Sequence, residues 1–197
     1  WALYLLDGSK PTEQRGLLAF TGEIPSEIPS NIVWASDGSG IAFVVTDGGA
    51  NQGVVPKYAA IRTLDLASGK VTELTRITDG SYYRIVGWER SSGTIAAFTV
   101  PYGSTPAPAS YVVLGPGGTR TVPTGGGWGG IASPDARTVV GTHCEGAPAG
   151  CSLWTWPLAD FAARVDQRLP AGLSVGLVGW RSGSNDVGLY VSNVAGG

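Results

Sequence analysis

The chain has 197 residues and a formal net charge of −2; 43% of its residues are apolar, only 14% are charged, and it holds 31 Gly and 13 Pro. This turn-rich, weakly charged composition describes an all-β protein long enough to bury a real core. It argues against nucleic acid as a partner, since no Lys/Arg run exists to neutralise phosphates, and no apolar stretch approaches the roughly 20 residues of a membrane-spanning helix.

In chain order, residues 1–9 (WALYLLDGS) read as a strand and its turn, and residues 13–20 as a second strand. No basic start or cleavage motif opens the chain, so a targeting peptide is expected to have been removed or to lie outside it. The strongest signal is residues 31–46, NIVWASDGSGIAFVVT, in which two apolar runs rich in β-branched and aromatic residues flank Ser36-Asp37-Gly38-Ser39-Gly40. That pattern is a hairpin. Copies recur at residues 85–98, 130–140 and 177–191. With Trp34, Trp88, Ala132 and Trp180 as equivalent points, the spacings are 54, 44 and 48 residues, the period of a four-stranded repeating unit.

Two of these hairpins carry a family resemblance. W-A-S-D-G-S-G-I-A-F (residues 34–43) and A-S-P-D-A-R-T-V-V (residues 132–140) are similar to the W-S-P-D-G-x-x-I-A-F signature of the TolB-like, or PD40, β-propeller repeat. Residues 61–75 resemble that family's third strand, turn and fourth strand. The second copy replaces the Ser-Pro-Asp-Gly core with Glu-Arg-Ser-Ser-Gly and the fourth lacks it. The period therefore covers nearly the whole chain and the motif less than half. The resemblance implies a β-propeller; a β-sandwich with coincidentally spaced hairpins is the alternative.

The chain starts on what reads as the third and fourth strands of a blade and ends on a first and second. Three complete blades (31–77, 83–123, 127–170) and a composite one (1–20 with 174–197) make a four-bladed, single-domain propeller closed by pairing the terminal strands. A fragment of a larger six- to eight-bladed propeller is the other reading, with a larger or membrane-anchored parent chain.

The loops are asymmetric. Turns within hairpins are short, whereas residues 46–56, 101–109 and 141–150, and the connections 76–84 and 123–129, are long. Alternating strand direction puts the long set on one face, and long loops on a rigid scaffold are where binding residues concentrate. Tyr82, Tyr83 and Arg84 in one connection, Trp128 in a glycine run, and Tyr102, His143 and Asn51 in other loops are the candidate ligand- or partner-contacting residues. The plainer reading stays open for the aromatics: one of Tyr82 and Tyr83 facing the core and the other capping a neighbouring blade, and Trp128 packed between blades. Trp154 and Trp156 alternate on one strand face and are expected between blades, and residues 157–165 read as a short helix packed on the outside.

Cys144 and Cys151 are expected to form a disulfide closing an eight-residue ring, which favours an extracytoplasmic location: periplasm, cell surface or secreted. Catalytic groups are not identifiable. His143 is the only histidine, no nucleophile elbow or carboxylate pair stands out, and no metal-ligand spacing or phosphate loop occurs. The sequence therefore calls for no metal or cofactor. TolB-like repeats often serve as protein-interaction platforms, so the resemblance implies a non-catalytic binding module for a protein or small ligand. The alternatives are a lectin-like carbohydrate or peptide binder and an accessory propeller of a larger hydrolase.

Overall fold

A computed structural model describes residues 2–7, 10–19, 27–47, 55–103, 110–124, 129–145, 150–170, 172–181 and 186–193. Sixteen antiparallel strands run through these residues. An opening hairpin, β1 (Ala2–Asp7) and β2 (Lys10–Ala19), precedes three four-stranded sheets. The first is β3 (Glu27–Trp34), β4 (Gly40–Asp47), β5 (Ala59–Asp65) and β6 (Val71–Ile77). The second is β7 (Ser81–Glu89), β8 (Thr94–Pro101), β9 (Ser110–Gly115) and β10 (Gly118–Pro123). The third is β11 (Gly130–Ala132), β12 (Thr138–Glu145), β13 (Gly150–Pro157) and β14 (Val165–Arg168), and a closing hairpin follows, β15 (Leu173–Trp180) and β16 (Val187–Asn193). The fold is an all-β propeller. The three sheets are complete blades with strands in chain order, and the two hairpins supply the four strands of a fourth. No ladder among the described residues joins the two hairpins.

The meander follows from the pattern of burial. Residues 40–46 of β4 are all buried, because a second strand is covered on both faces by neighbouring blades. The outermost strands β6, β10 and β14, rich in Thr, Arg, Glu and Gln, are largely exposed. At the first hairpin, Asp37 Oδ1 accepts from the Ser39 N–H at 2.9 Å and Gly38 takes a positive φ of 72°. Ala136 stands at the same point of the third repeat and adopts φ 53°, so the Ser-Pro-Asp-Ala turn has the shape of Ser-Asp-Gly.

The equivalence of Trp34, Trp88, Ala132 and Trp180 holds in the register. Each pairs with the residue seven positions on: Ile41, Ile95, Val139 and Val187. An inner-strand bulge recurs two residues before the tryptophan. Val86 is the extra residue between paired Ile85 and Gly87, and Val178 the extra one between Leu177 and Gly179. In β3 the irregularity spans Ser30 to Val33. The sequence reading did not anticipate this bulge, which bends each inner strand along the axis.

Blades interlock through aromatic cores. Between the second and third sheets, Phe98, Tyr111, Trp154, Trp156 and Phe161 pack mostly edge to face, with Tyr111 and Trp156 ring centroids 5.8 Å apart. The buried Tyr111 hydroxyl donates to Leu158 O at 2.9 Å. Trp154 and Trp156 thus pack between blades, as their alternation suggested. Between the first and second sheets lie Val44, Ile61, Tyr83, Ile85 and Trp88. On the other side of the first sheet, Ile41, Phe43 and Val45 pack with Leu17 of β2.

Two local expectations are corrected. The helix expected over residues 157–165 is a single 3-10 turn, Phe161–Ala163, capped by Asp160 Oδ1, which accepts from the Ala162 N–H at 3.1 Å. Its apolar residues turn inward: Leu158 and Phe161 join the interblade core rather than the outside. Val165 pairs with Thr155 as the start of β14, so ladder formation outcompetes a second helical turn. The connection expected over residues 76–84 is shorter, because Asp79-Gly80 completes the turn, with Asp79 Oδ1 accepting from Ser81 N–H, and Tyr82, Tyr83 and Arg84 already belong to β7.

Candidate functional site

Along the axis the inner strands are tied to one another by few but specific bonds. Asn31, at φ 45°, accepts on its Oδ1 from the Ile85 N–H. Ser36 N–H donates to Trp88 O at 3.0 Å, and Ser36 Oγ accepts from Arg90 N–H at 3.1 Å. Gly87 lets β11 come close, since a Cβ there would stand 2.5 Å from the Ala132 Cβ. Further round, Trp180 Nε1 donates to Ile131 O at 3.2 Å.

These strands line a cavity of about 410 Å³ that includes Asn31, Trp34, Arg84, Trp88, Ile131 and Ser133. Arg84 is the one ionisable side chain among its described lining residues, and it is exposed. Among the described residues no ion pair engages it. A guanidinium beside indole and backbone edges suits a planar or anionic group of a ligand.

The ladders carry the β4–β5, β8–β9 and β12–β13 loops and the interblade connections to one end of the propeller. The loop bases are pinned. Asp47 Oδ1 accepts from Lys57 N–H at 3.0 Å, and Tyr102 N–H donates to Gly80 O at 3.2 Å. The Tyr102 backbone therefore sits beside Gly80, at the turn that leads into β7, the strand that carries Arg84.

The residues singled out from sequence divide as follows. Tyr82 is half-buried and touches both interblade cores. Tyr83 is 3% exposed, its hydroxyl 3.3 Å from Thr75 Oγ1, and burial pushes its pKa up; it is a core residue and not free to meet a ligand. Arg84 faces the cavity. His143 lies in β12 rather than in a loop and stacks on Trp154 at 4.7 Å, away from the axis. Asn51 and Trp128 lie outside the described residues. Trp34 and Asn31, which the sequence offered only as a repeat marker and a strand start, join Arg84 at the cavity. Their signal was the repeat phase, which puts both on an innermost strand.

Cys144 stands opposite Cys151 in the β12–β13 ladder, and Cys151 is buried. Among the described residues no helix is long and apolar enough to cross a membrane, and no group of His, Cys, Asp and Glu is arranged to hold a metal ion.

No family model and no curated protein matches the chain. Solved structures do. A prolyl endopeptidase matches at TM-score 0.61 and 14% identity over 98% of this chain and 31% of its own. An oligogalacturonate lyase in complex with manganese matches at 0.57 and 14% over 98% and 57%. The β-propeller domain of the Trilobed protease from Pyrococcus furiosus matches at 0.54 and 13% over 98% and 59%. The chain thus spans about a third to three-fifths of these proteins, and at such identity the likeness shows the shared β-propeller fold.

Proposed function

We propose that this chain is a non-catalytic, extracytoplasmic propeller module that binds a protein or small ligand at its long-loop end and the adjoining axial cavity. The observation that carries this reading is Arg84, an exposed guanidinium on an innermost strand, engaged by no ion pair among the described residues. An exposed guanidinium on the cavity wall can meet an anionic or planar group without first giving up an ion pair. Support for a binding role over a catalytic one comes from His143, which is engaged against Trp154 away from the cavity. Support for the location comes from the cross-strand placement of Cys144 and Cys151, which suits a disulfide.

The test is a titration of intrinsic tryptophan fluorescence with two probes, a short proline-containing peptide and an oligogalacturonate, on wild type and Arg84→Ala. A saturable change with either probe that Arg84→Ala weakens at least about tenfold, the scale of a lost charge-assisted bond, supports the reading. Saturation unaffected by Arg84→Ala, or none at all, overturns it. A second reading, an accessory propeller of a larger hydrolase, is favoured by the 31% share of the prolyl endopeptidase that the chain spans. A catalytic domain in the same reading frame would decide for it.

A further inference from the structure

The first two interfaces between blades have the same place to fill at the short-turn end, and they fill it differently. Between the first and second blades the benzene edge of Trp88 takes it, 3.1 Å from where a Cβ on Gly40 would stand, and the ring is almost fully buried. The Arg90 guanidinium lies over that ring at 4.9 Å and reaches Asp65 of the first blade at 3.5 Å, so the indole is lidded as well as seated.

None of these three residues has a like counterpart one interface on. The repeat markers put Ala132 where Trp88 stands and Pro134 where Arg90 stands. Asp65 follows Leu64, the partner of Ile41; its counterpart Gly115 follows Leu114, the partner of Ile95. Leu158 takes up the space beside Gly87, its Cδ1 3.3 Å from where a Cβ there would stand. At Thr94, the counterpart of Gly40, a groove of about 260 Å³ stays open between the second and third blades. Its walls include the buried Thr94, Ala136 and Leu158, and Glu89 of one blade and Arg137 of the other stand along it.

The two charged residues differ in how they are held. Ser91 and Ser92 N–H donate to Glu89 Oε1 and Oε2 at 3.1 and 2.9 Å, which fixes the carboxylate in place. Arg137 is exposed, and among the described residues no ion pair engages it. The volume falls below the roughly 300–1,000 Å³ of sites that enclose a drug-sized ligand and suits one large side chain, of the kind that anchors a protein interface from within a pocket. The preceding interface shows which side chain, since there the protein itself seats an indole under a guanidinium.

We propose that the groove between the second and third blades docks a tryptophan of a partner protein, with its ring on the apolar walls, the Arg137 guanidinium against its π face and its indole N–H towards Glu89. An aliphatic anchor would fill the volume and leave both charged groups without a counterpart. The groove opens at the end of the propeller opposite the long loops, so this site stands apart from the axial binding reading.

The experiment follows backbone amide shifts of the isotopically labelled full chain during titration with N-acetyl-tryptophanamide, which presents the side chain as it stands within a polypeptide, and with N-acetyl-leucinamide. The expected result is saturable shifts at residues 89–94, 136–137 and 157–159 with the tryptophan probe and several-fold weaker binding of the leucine probe. Arg137→Ala should weaken the tryptophan probe about threefold, the scale of one exposed cation–π contact. Ala159→Phe, which sets a ring at the exposed rim of the groove, should abolish binding. The comparison of the two probes on wild type decides the matter even where a variant melts early. No saturable shift, equal affinity for the leucine probe, or shifts gathered at Trp34 and Arg84 would overturn the proposal, the last by assigning the probe to the axial cavity. Binding of free tryptophan without binding of the capped probe would overturn it in favour of a free amino acid. The same shifts on raising the protein concentration alone would overturn it by making a second copy of the chain the occupant.

Discussion

Gly87 and Tyr111 show how single residues hold neighbouring blades together. A methyl group on Gly87 would meet the Ala132 Cβ at 2.5 Å, with Leu158 Cδ1 at 3.3 Å, so Gly87→Ala pushes β11 off β7. Overpacking of this kind costs about 1–3 kcal/mol, and the expected outcome is a lower denaturation midpoint at unchanged m-value. Tyr111→Phe keeps the ring packing against Phe98 and Trp156 and removes only the bond to Leu158 O. Leaving that buried carbonyl without its donor costs about 1–3 kcal/mol, readable in the same urea titration. Residue identity alone was a poor guide at this scale. Tyr82-Tyr83-Arg84 looks like one recognition cluster in the sequence, yet the alternation of β7 sends Tyr83 into the core and leaves Arg84 at the cavity. Three successive letters carry no information about which face each will take until the strand is known.

Among elements, the first blade depends on a charge network as well as on its apolar face. Arg62 of β5 holds Glu27 of β3 through two bonds, at 2.5 and 2.6 Å, and also donates to Glu73 of β6 at 3.1 Å. Arg76 donates twice to Glu73 and lies over the Tyr58 ring, 4.1 Å from its centroid, and Tyr58 hydroxyl donates to Glu27 at 2.7 Å. Hydrogen bonds from Arg76, then Arg62, hold the Glu73 carboxyl down to about 2, and Arg62 lowers Glu27. Burial, with the bond to Glu27, pushes Tyr58 up to about 12. Both carboxylates have folded pKa values below the ordinary 4.5, so their stabilisation is present above that pH and is lost as pH falls towards about 2. The melting temperature is therefore expected to fall through that acid window, and Glu73→Gln to flatten the fall while lowering stability at pH 7. The hairpins themselves were legible, because apolar runs around Asp-Gly or Pro-Asp turns need no tertiary information. The supposed helix was not: Leu158, Phe161 and Val165 have helical spacing, but that spacing also serves an inward turn followed by an outer strand.

For the whole molecule, assembly depends on the two hairpins. Removing residues 1–20 deletes β1 and β2 and uncovers Ile41, Phe43 and Val45 beside Leu17; the expected outcome is loss of the cooperative thermal transition, and unchanged melting would show that these strands are dispensable. A bridge between Cys144 and Cys151 would close a loop of eight residues and contribute about 2–3 kcal/mol in the chain-entropy picture. Reductant should then lower the melting temperature by several degrees, with no thiol labelled by alkylation beforehand. The period of four-stranded units was legible across nearly the whole chain. What the period could not reveal was where the axial cavity gathers its side chains, since Asn31, Arg84 and Ser133 come from three repeats and share no motif.

The inner-strand bulge gives that cavity an unusual sensitivity. Because Val86 is an extra residue, Tyr83, Ile85 and Trp88 share one face although Ile85 and Trp88 are three apart. Val86 is absorbed by the bulge. Its deletion would restore strict alternation, with Tyr83, Ile85 and Trp88 still on one face and Arg84 still on the other, so the bend of the inner strand would go and the lining of the axis would stay. Ironing the bulge flat with Val86 kept is the change that would turn the first half of β7 over relative to Trp88, sending Arg84 towards the first blade and Tyr83 towards the third.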